Sequence, residues 1–205
     1  TFVIADMPFM SYQISAAQAV ENAGRLIKET GANAVKLEGG AAVTAQIRAI
    51  VDAGIPVCAH IGMTPQSVNV FGGFKVQGKG EENAKRVLDD AFAVQQAGAF
   101  LCVLECVPTK LAALISKKVD MVTIGIGAGA GCDGQVLVMQ DMLASNTDFT
   151  PKFVKHFADI GNQMSEAFKA YDSEVKAGSF PEASHTFAKS DCSDEYLAQL
   201  DETFK

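Results

Sequence analysis

Apolar and polar positions along the chain repeat one plan three times: a helical stretch with one apolar face, a glycine, then a short apolar strand. Between residues 15 and 30, Ala16, Ala19, Val20, Ala23 and Ile27 recur at the spacing that turns one side of a helix toward a core. Ser15 is placed to cap the first turn, and Gly31 to end the helix in the left-handed conformation. A strand, Ala34–Glu38, follows. Val43, Ile47, Ile50 and Val51 mark a second helix that stops at Gly54, ahead of a strand over 57–60. Ala84, Val87, Leu88, Ala91 and Phe92 mark a third, stopped by Gly98 before a strand over 100–105.

Two further apolar runs, 121–127 and 135–139, add strands after a helix near 110–118, and residues 2–6 supply one more. Six strands alternating with helices predict a parallel sheet buried by its crossovers. Residues 1–187 spread over six units give roughly 31 residues each, and eight such units make the ~250 residues of a closed (β/α)8 barrel. Thr1 opens the chain inside an apolar run, which we read as a barrel shortened at its N-terminus. An open doubly wound sheet is the alternative. Its support is the glycine run from Gly125 to Ala130, but a dinucleotide fingerprint needs a helix to start there. Gly131-Cys132-Asp133-Gly134 breaks any such helix.

Composition narrows the picture further. Nearly half of the 205 residues are hydrophobic, enough for one large core, and the net charge is -7 from 17 basic and 24 acidic residues. No basic face is available to neutralise phosphates, so nucleic-acid binding is not expected. No apolar run approaches the ~20 residues of a membrane helix, and nothing at the start reads as a signal peptide. The five cysteines (58, 102, 106, 132 and 192) form no C-x-x-C pair, which predicts free thiols in a reducing, cytoplasmic setting.

Candidate chemistry gathers where strands end. Asp6, Glu38, His60 and Glu105 all fall at that point, where parallel barrels carry their active sites. Glu38 and Glu105 each stand seven residues after a helix-stopping glycine, and Lys36 shares a strand face with Glu38. Singly, each has a plainer reading: Asp6 as a turn cap, Glu38 as a solvated turn carboxylate, Lys36 as its structural ion-pair partner, His60 as a core histidine. Glu105, between Leu104 and Cys106, is the costliest to leave idle. Together, carboxylates without a His/Cys cluster suit Mg2+ better than Zn2+. The long segment 62–80, with Phe71 and Phe74 among glycines and amides, reads as a binding loop or lid.

Several blocks resemble the ketopantoate hydroxymethyltransferase family. They are Ala5-Asp6-Met7-Pro8-Phe9-Met10, Val35-Lys36-Leu37-Glu38-Gly39-Gly40, His60-Ile61-Gly62-Met63-Thr64-Pro65-Gln66-Ser67, Phe71-Gly72-Gly73-Phe74-Lys75-Val76-Gln77-Gly78, Leu104-Glu105-Cys106-Val107-Pro108 and Gly125-Ile126-Gly127-Ala128-Gly129. They occur in family order. The resemblance implies a (β/α)8 TIM barrel of the phosphoenolpyruvate/pyruvate-binding type, of which strands 3 to 8 are present, as one domain over 1–187 with a C-terminal tail over 188–205. It implies transfer of a one-carbon unit from 5,10-methylenetetrahydrofolate to 3-methyl-2-oxobutanoate, giving 2-dehydropantoate by Mg2+-assisted enolate formation. Asp6 would bind Mg2+ and the oxo acid, Glu38 would complete the metal site, Lys36 would hold the substrate, and Glu105 would be the base. A homo-oligomer, commonly a decamer, is implied as well.

Two departures stand out. The family has further units upstream, with an Asp-Ser pair that supplies another metal ligand and a substrate contact. The tail over 188–205, with Asp191, Asp194 and Glu195, runs past the usual family end and reads as a short surface helix or interface arm. Two alternatives stay open: a C–C lyase of the related pyruvate barrels, though segment 62–80 lacks their lid cysteine, and a shortened, non-catalytic subunit.

Overall fold

The computed structural model of the protein describes residues 1–145, 149–187, 189 and 192–204. The chain divides into two compact units, residues 1–139 with 150–155, and residues 140–149 with 156–205.

In the first unit, the chain runs β1 (Ile4–Asp6), α1 (Ala16–Thr30), β2 (Ala34–Glu38), α2 (Thr44–Asp52), β3 (Val57–Gly62), a short α3 (Val68–Phe71), α4 (Glu81–Gln96), β4 (Leu101–Glu105), α5 (Thr109–Lys118), β5 (Val122–Ile126) and β6 (Gly134–Gln135). Local rules account for the helix ends. The Ser15 side chain accepts the Gln18 N–H, and Gly31 closes α1 at φ 72, a conformation that costs residues with a Cβ.

All six strands pair in parallel, in the order β1-β2-β3-β4-β5-β6. Parallel crossovers are right-handed, so a strictly sequential order sends every helix to the same face. A doubly wound sheet instead reverses its order to cover both faces. The dinucleotide-type alternative therefore fails on topology as well as on sequence.

Register defines the two faces. Val35, Leu37, Val57, Ala59, Ile61, Cys102 and Leu104 alternate with the other set and join one core with Ala19 and Ala23 of α1, Ile47 and Ile50 of α2, Val87, Ala91 and Val94 of α4, and Ile115 of α5. Within this unit the crossover helices α1, α2, α4 and α5 all lie on that face, and among its described residues none crosses the opposite one. The sheet also curls: the rings of Phe2 and Phe100 meet edge to face with centroids 6.0 Å apart. Their strands are separated by β2 and β3, a span of about 14 Å in a flat sheet.

Three expectations are adjusted. The first strand, Ile4–Asp6, is shorter than 2–6, and Phe2 and Val3 are more than half exposed. Among the described residues the sheet does not close on itself. The run 135–139 pairs only through Gly134–Gln135. Beyond it the Val136 N–H still donates to the Gly125 carbonyl at 3.1 Å, but the side chains of Val136, Val138 and Met139 stay exposed.

A four-residue helix, α6 (Met139–Met142), leads on to α7 (Ile160–Ala177), ended by left-handed Gly178, and α8 (Asp194–Thr203), whose N-cap Ser193 accepts the Tyr196 N–H. The short helix expected in the tail, with Asp194 and Glu195, is α8; Ala188, Asp191 and Lys205 lie outside the described residues. Among the described residues no helix is long and apolar enough to cross a membrane.

Candidate active site

Strand pairing sets Asp6 opposite Lys36, Glu38 opposite His60, and Glu105 opposite Gly62. All five ionisable side chains thus share the uncovered face, at the carboxyl ends of four consecutive strands. At its centre is Lys36. Its Nζ lies 2.8 Å from Asp6 Oδ1, 3.6 Å from Glu38 Oε1 and 3.4 Å from His60 Nδ1. An ammonium only donates, so Nδ1 accepts and the imidazole proton belongs on Nε2. That Nε2 lies 3.2 Å from Glu105 Oε2. The approach is close but misaligned, and Nε2, fully buried, has no well-angled hydrogen bond among the described residues. A chain of near contacts therefore runs from Asp6 through Lys36 and His60 to Glu105.

Glu38 is held from both sides. Its Oε2 accepts the Gln66 backbone N–H at 2.8 Å, and its own N–H donates to the Tyr12 hydroxyl at 3.1 Å. Tyr12 in turn donates to Gln66 Oε1 at 2.6 Å, and Gln66 Nε2 donates to the Met7 carbonyl at 2.9 Å. Loops after β1 and β3 are thereby locked onto the end of β2. Tyr12 is fully buried, and burial, with Glu38 and Asp6 nearby, pushes its pKa up to about 12. Sequence reasoning missed Tyr12 altogether and saw Gln66 only as a polar loop residue.

The end of β3 meets β4 without room for a side chain. Gly62 sits at φ 90, and a Cβ there would fall 2.4 Å from the Glu105 carbonyl. That carbonyl accepts the Met63 N–H at 2.9 Å, so the backbone beneath Glu105 is fixed by the loop that Gly62 opens. The segment 62–80 carries a 3-10 turn (Pro65–Ser67) and α3; Phe71 is half-buried, while Phe74 is exposed.

Whether the face suits a divalent cation can be judged from its donors. Asp6 and Glu38 converge on one positive charge, the Lys36 ammonium, with oxygens only. Among the described residues no group of three His, Cys, Asp or Glu side chains could hold a metal. Mg2+ is commonly bound through one or two carboxylates, with waters and substrate filling the rest, so two converging carboxylates fit it and a zinc cage is not formed. Cys58, Cys102, Cys106 and Cys132 form no disulfide; burial pushes the Cys102 thiol well up and Cys58 to about 12.

Known proteins match this chain at high identity. The chain is 66% identical over 187 residues to 3-methyl-2-oxobutanoate hydroxymethyltransferase of Clostridium novyi (strain NT), covering 91% of this chain and 68% of that protein. It is 64% identical over 191 residues to the protein of the same name from Enterococcus faecalis (strain ATCC 700802 / V583), covering 93% and 70%. Among solved structures, a putative phosphonomutase from Burkholderia cenocepacia J2315 aligns at 16% identity and a TM-score of 0.49, over 86% of this chain and 71% of that one, too weak a likeness to carry an argument. The ketopantoate hydroxymethyltransferase family profile matches residues 1–183, a span that holds all five ionisable residues of the uncovered face. With that match and identities above 60%, this chain belongs to the ketopantoate hydroxymethyltransferase family.

Proposed function

We propose that the protein transfers a hydroxymethyl group to 3-methyl-2-oxobutanoate, giving 2-dehydropantoate for pantothenate synthesis, with 5,10-methylenetetrahydrofolate as donor and Mg2+ as the metal. The observation that carries this reading is the convergence of Asp6 and Glu38 on Lys36, with Glu105 one imidazole away on the same face. Family membership removes the ground for a C–C lyase.

Asp6 and Glu38 would hold the cation, and Asp6 would also contact the oxo acid. When bound, Mg2+ supplies Lewis acidity toward the 2-oxo and carboxylate oxygens. Lys36 places a positive charge where the oxyanion grows as the C3 proton leaves. Glu105 accepts that proton. Carbon 3 then attacks the donor's methylene carbon. Of that carbon's two C–N bonds, one is exchanged for the new C–C bond and the other for a C–O bond to water. Tetrahydrofolate departs with its two nitrogens protonated, by the C3 proton and one from the water. His60 lies between Lys36 and Glu105, with Nδ1 toward the lysine and Nε2 toward the carboxylate.

The fold we propose is a (β/α)8 barrel in which these six strands are the third to the eighth. Sequential parallel order, one-sided helices and the Phe2–Phe100 contact across a curled sheet support it. A cytoplasmic homo-oligomer, decameric by resemblance to the family, completes the reading.

The test is formation of 2-dehydropantoate by the full-length protein from the oxo acid, the folate donor and Mg2+. Asp6→Ala should abolish turnover, and Glu38→Ala should weaken it less, because Glu38 is set deeper and held by Gln66. No product from the wild type would favour a non-catalytic subunit, and full activity of the Asp6 variant would overturn the metal assignment.

A further inference from the structure

A hydroxymethyl transfer joins two molecules, so an acceptor bound beside Glu105 needs a second seat within reach; this inference rests on the reading above. Two cavities open at the carboxyl ends of the strands. One, about 220 Å³, lies at the ends of β2 and β3, among Gly39, Thr64, Phe71, Arg86 and Asp90. The other, about 540 Å³, begins at Cys106, the residue after Glu105, and reaches Thr109, Gly129, Lys152 and Phe153. Sites for drug-sized and cofactor-sized ligands span about 300–1,000 Å³, so only the second is large enough as it stands.

Its walls are built rather than incidental. Cys106 holds a left-handed backbone at φ 50, fixed by its N–H donating to the Ile126 carbonyl and by its carbonyl accepting the Gln77 N–H, each at 2.9 Å. Gly127, at φ 61, is bare where the Phe153 ring lies: a Cβ there would fall 2.7 Å from a ring carbon. At Gly129 a Cβ would fall 2.4 Å from Thr109 Cγ2. One wall is thus backbone, and the half-buried Phe153 ring presents a flat apolar surface beside it. Val76, Val107 and Pro108 add apolar surface. Lys152 is exposed, with no acidic partner among the described residues, and brings positive charge to the same cleft.

We infer that this cleft seats the one-carbon donor, a flat ring system laid against Phe153 with an anionic tail toward Lys152. Ring stacking suits the first element and charge attraction the second. The smaller cavity has an aromatic and an arginine too, but Asp90, held there by the Ala41 N–H at 2.8 Å, sets a carboxylate against an anionic tail.

The experiment is a calorimetric titration of tetrahydrofolate, which carries no transferable carbon, into the full-length protein saturated with 3-methyl-2-oxobutanoate. Phe153→Ala should weaken binding by roughly 10-fold, the order of one aromatic stacking contact. Phe153→Leu, which keeps the bulk and loses the flat ring, should weaken it nearly as much. Lys152→Glu should weaken it further at low salt than at high salt, since an exposed charge is screened. Unchanged affinity in all three variants overturns the seat, as does a loss caused by Arg86→Ala instead. If the wild type binds no tetrahydrofolate at all, both this seat and the folate donor fall, whereas binding that ignores the variants removes the seat alone.

Discussion

Leu104 and Glu105 are neighbours on β4 and live in different environments. Leu104 is fully buried in the core with α4 and α5 side chains and neighbouring strands, while Glu105 faces the side opposite the crossover helices, against His60. The same division holds along β2 for Leu37 and Lys36, and along β3 for Ile61 and His60. One face is apolar from Val35 to Leu104, and the other gathers three carboxylates, a lysine and a histidine. A strand's period of two makes the separation possible. A register slip of one residue would exchange the faces, burying the charges under the helices and exposing the core. Buried charge is costly unless partnered, and here every ionisable group of the open face has an oppositely charged or hydrogen-bonding neighbour within 4 Å. The apolar packing is concentrated on one face and the candidate chemistry on the other.

Substitutions can separate them. The largest stability effect should come from Leu104→Ala, about 2–5 kcal/mol by urea unfolding, because the removed atoms leave a cavity under α4 and α5. A loss well under 1 kcal/mol would mean that this face is not the packed one. Tyr12→Phe should cost about 1–3 kcal/mol, since the buried Glu38 N–H loses its acceptor. Smallest of the set, Ser15→Ala should cost about 1 kcal/mol through the lost α1 cap and leave the open face untouched.

Alkaline pH probes the buried groups of both faces. Tyr12 and Cys58 keep their protons to about 12 in the folded protein, chiefly because burial disfavours their anions. In the unfolded chain they ionise near ~10 and ~8.5. Between those values and about 12 the folded state binds more protons, so their stabilising contribution is whole below ~8.5 and is lost as pH rises. The urea midpoint should fall above about pH 9, and less steeply above about pH 10 in Tyr12→Phe than in the wild type. A midpoint that climbs over that range would contradict the burial of these groups.

Much of this was legible in the chain itself. Apolar spacing and glycine stops located α1, α2, α4 and α5, because helix signals are local and Ser15 and Gly31 act within one turn. Alternation alone put Lys36 beside Glu38 on one face. The seven-residue offset from Gly31 and Gly98 singled out Glu38 and Glu105 together. What stayed hidden depends on distance along the chain. Tyr12 meets Glu38 across 26 residues and Gln66 across 54, and a lone tyrosine after an irregular turn carries no periodic signal. The strand expected over 135–139 is shorter for a related reason: its apolar residues look like strand, but its pairing with β5 stops after the Val136 N–H reaches the Gly125 carbonyl.

The most direct measurement is exchange of the C3 hydrogen of 3-methyl-2-oxobutanoate for solvent deuterium, followed by proton NMR in the full-length protein with Mg2+ and no one-carbon donor. Glu105→Gln keeps the shape of the side chain and its reach toward His60 but cannot take a proton. The account predicts that exchange falls by ~10²–10⁴-fold, the usual loss for a positioned base, while unfolding free energy stays within about 1 kcal/mol of the wild type. Exchange at the wild-type rate in the Gln variant would contradict it, and would move the proton acceptor to another group on the open face, with His60 the first to test.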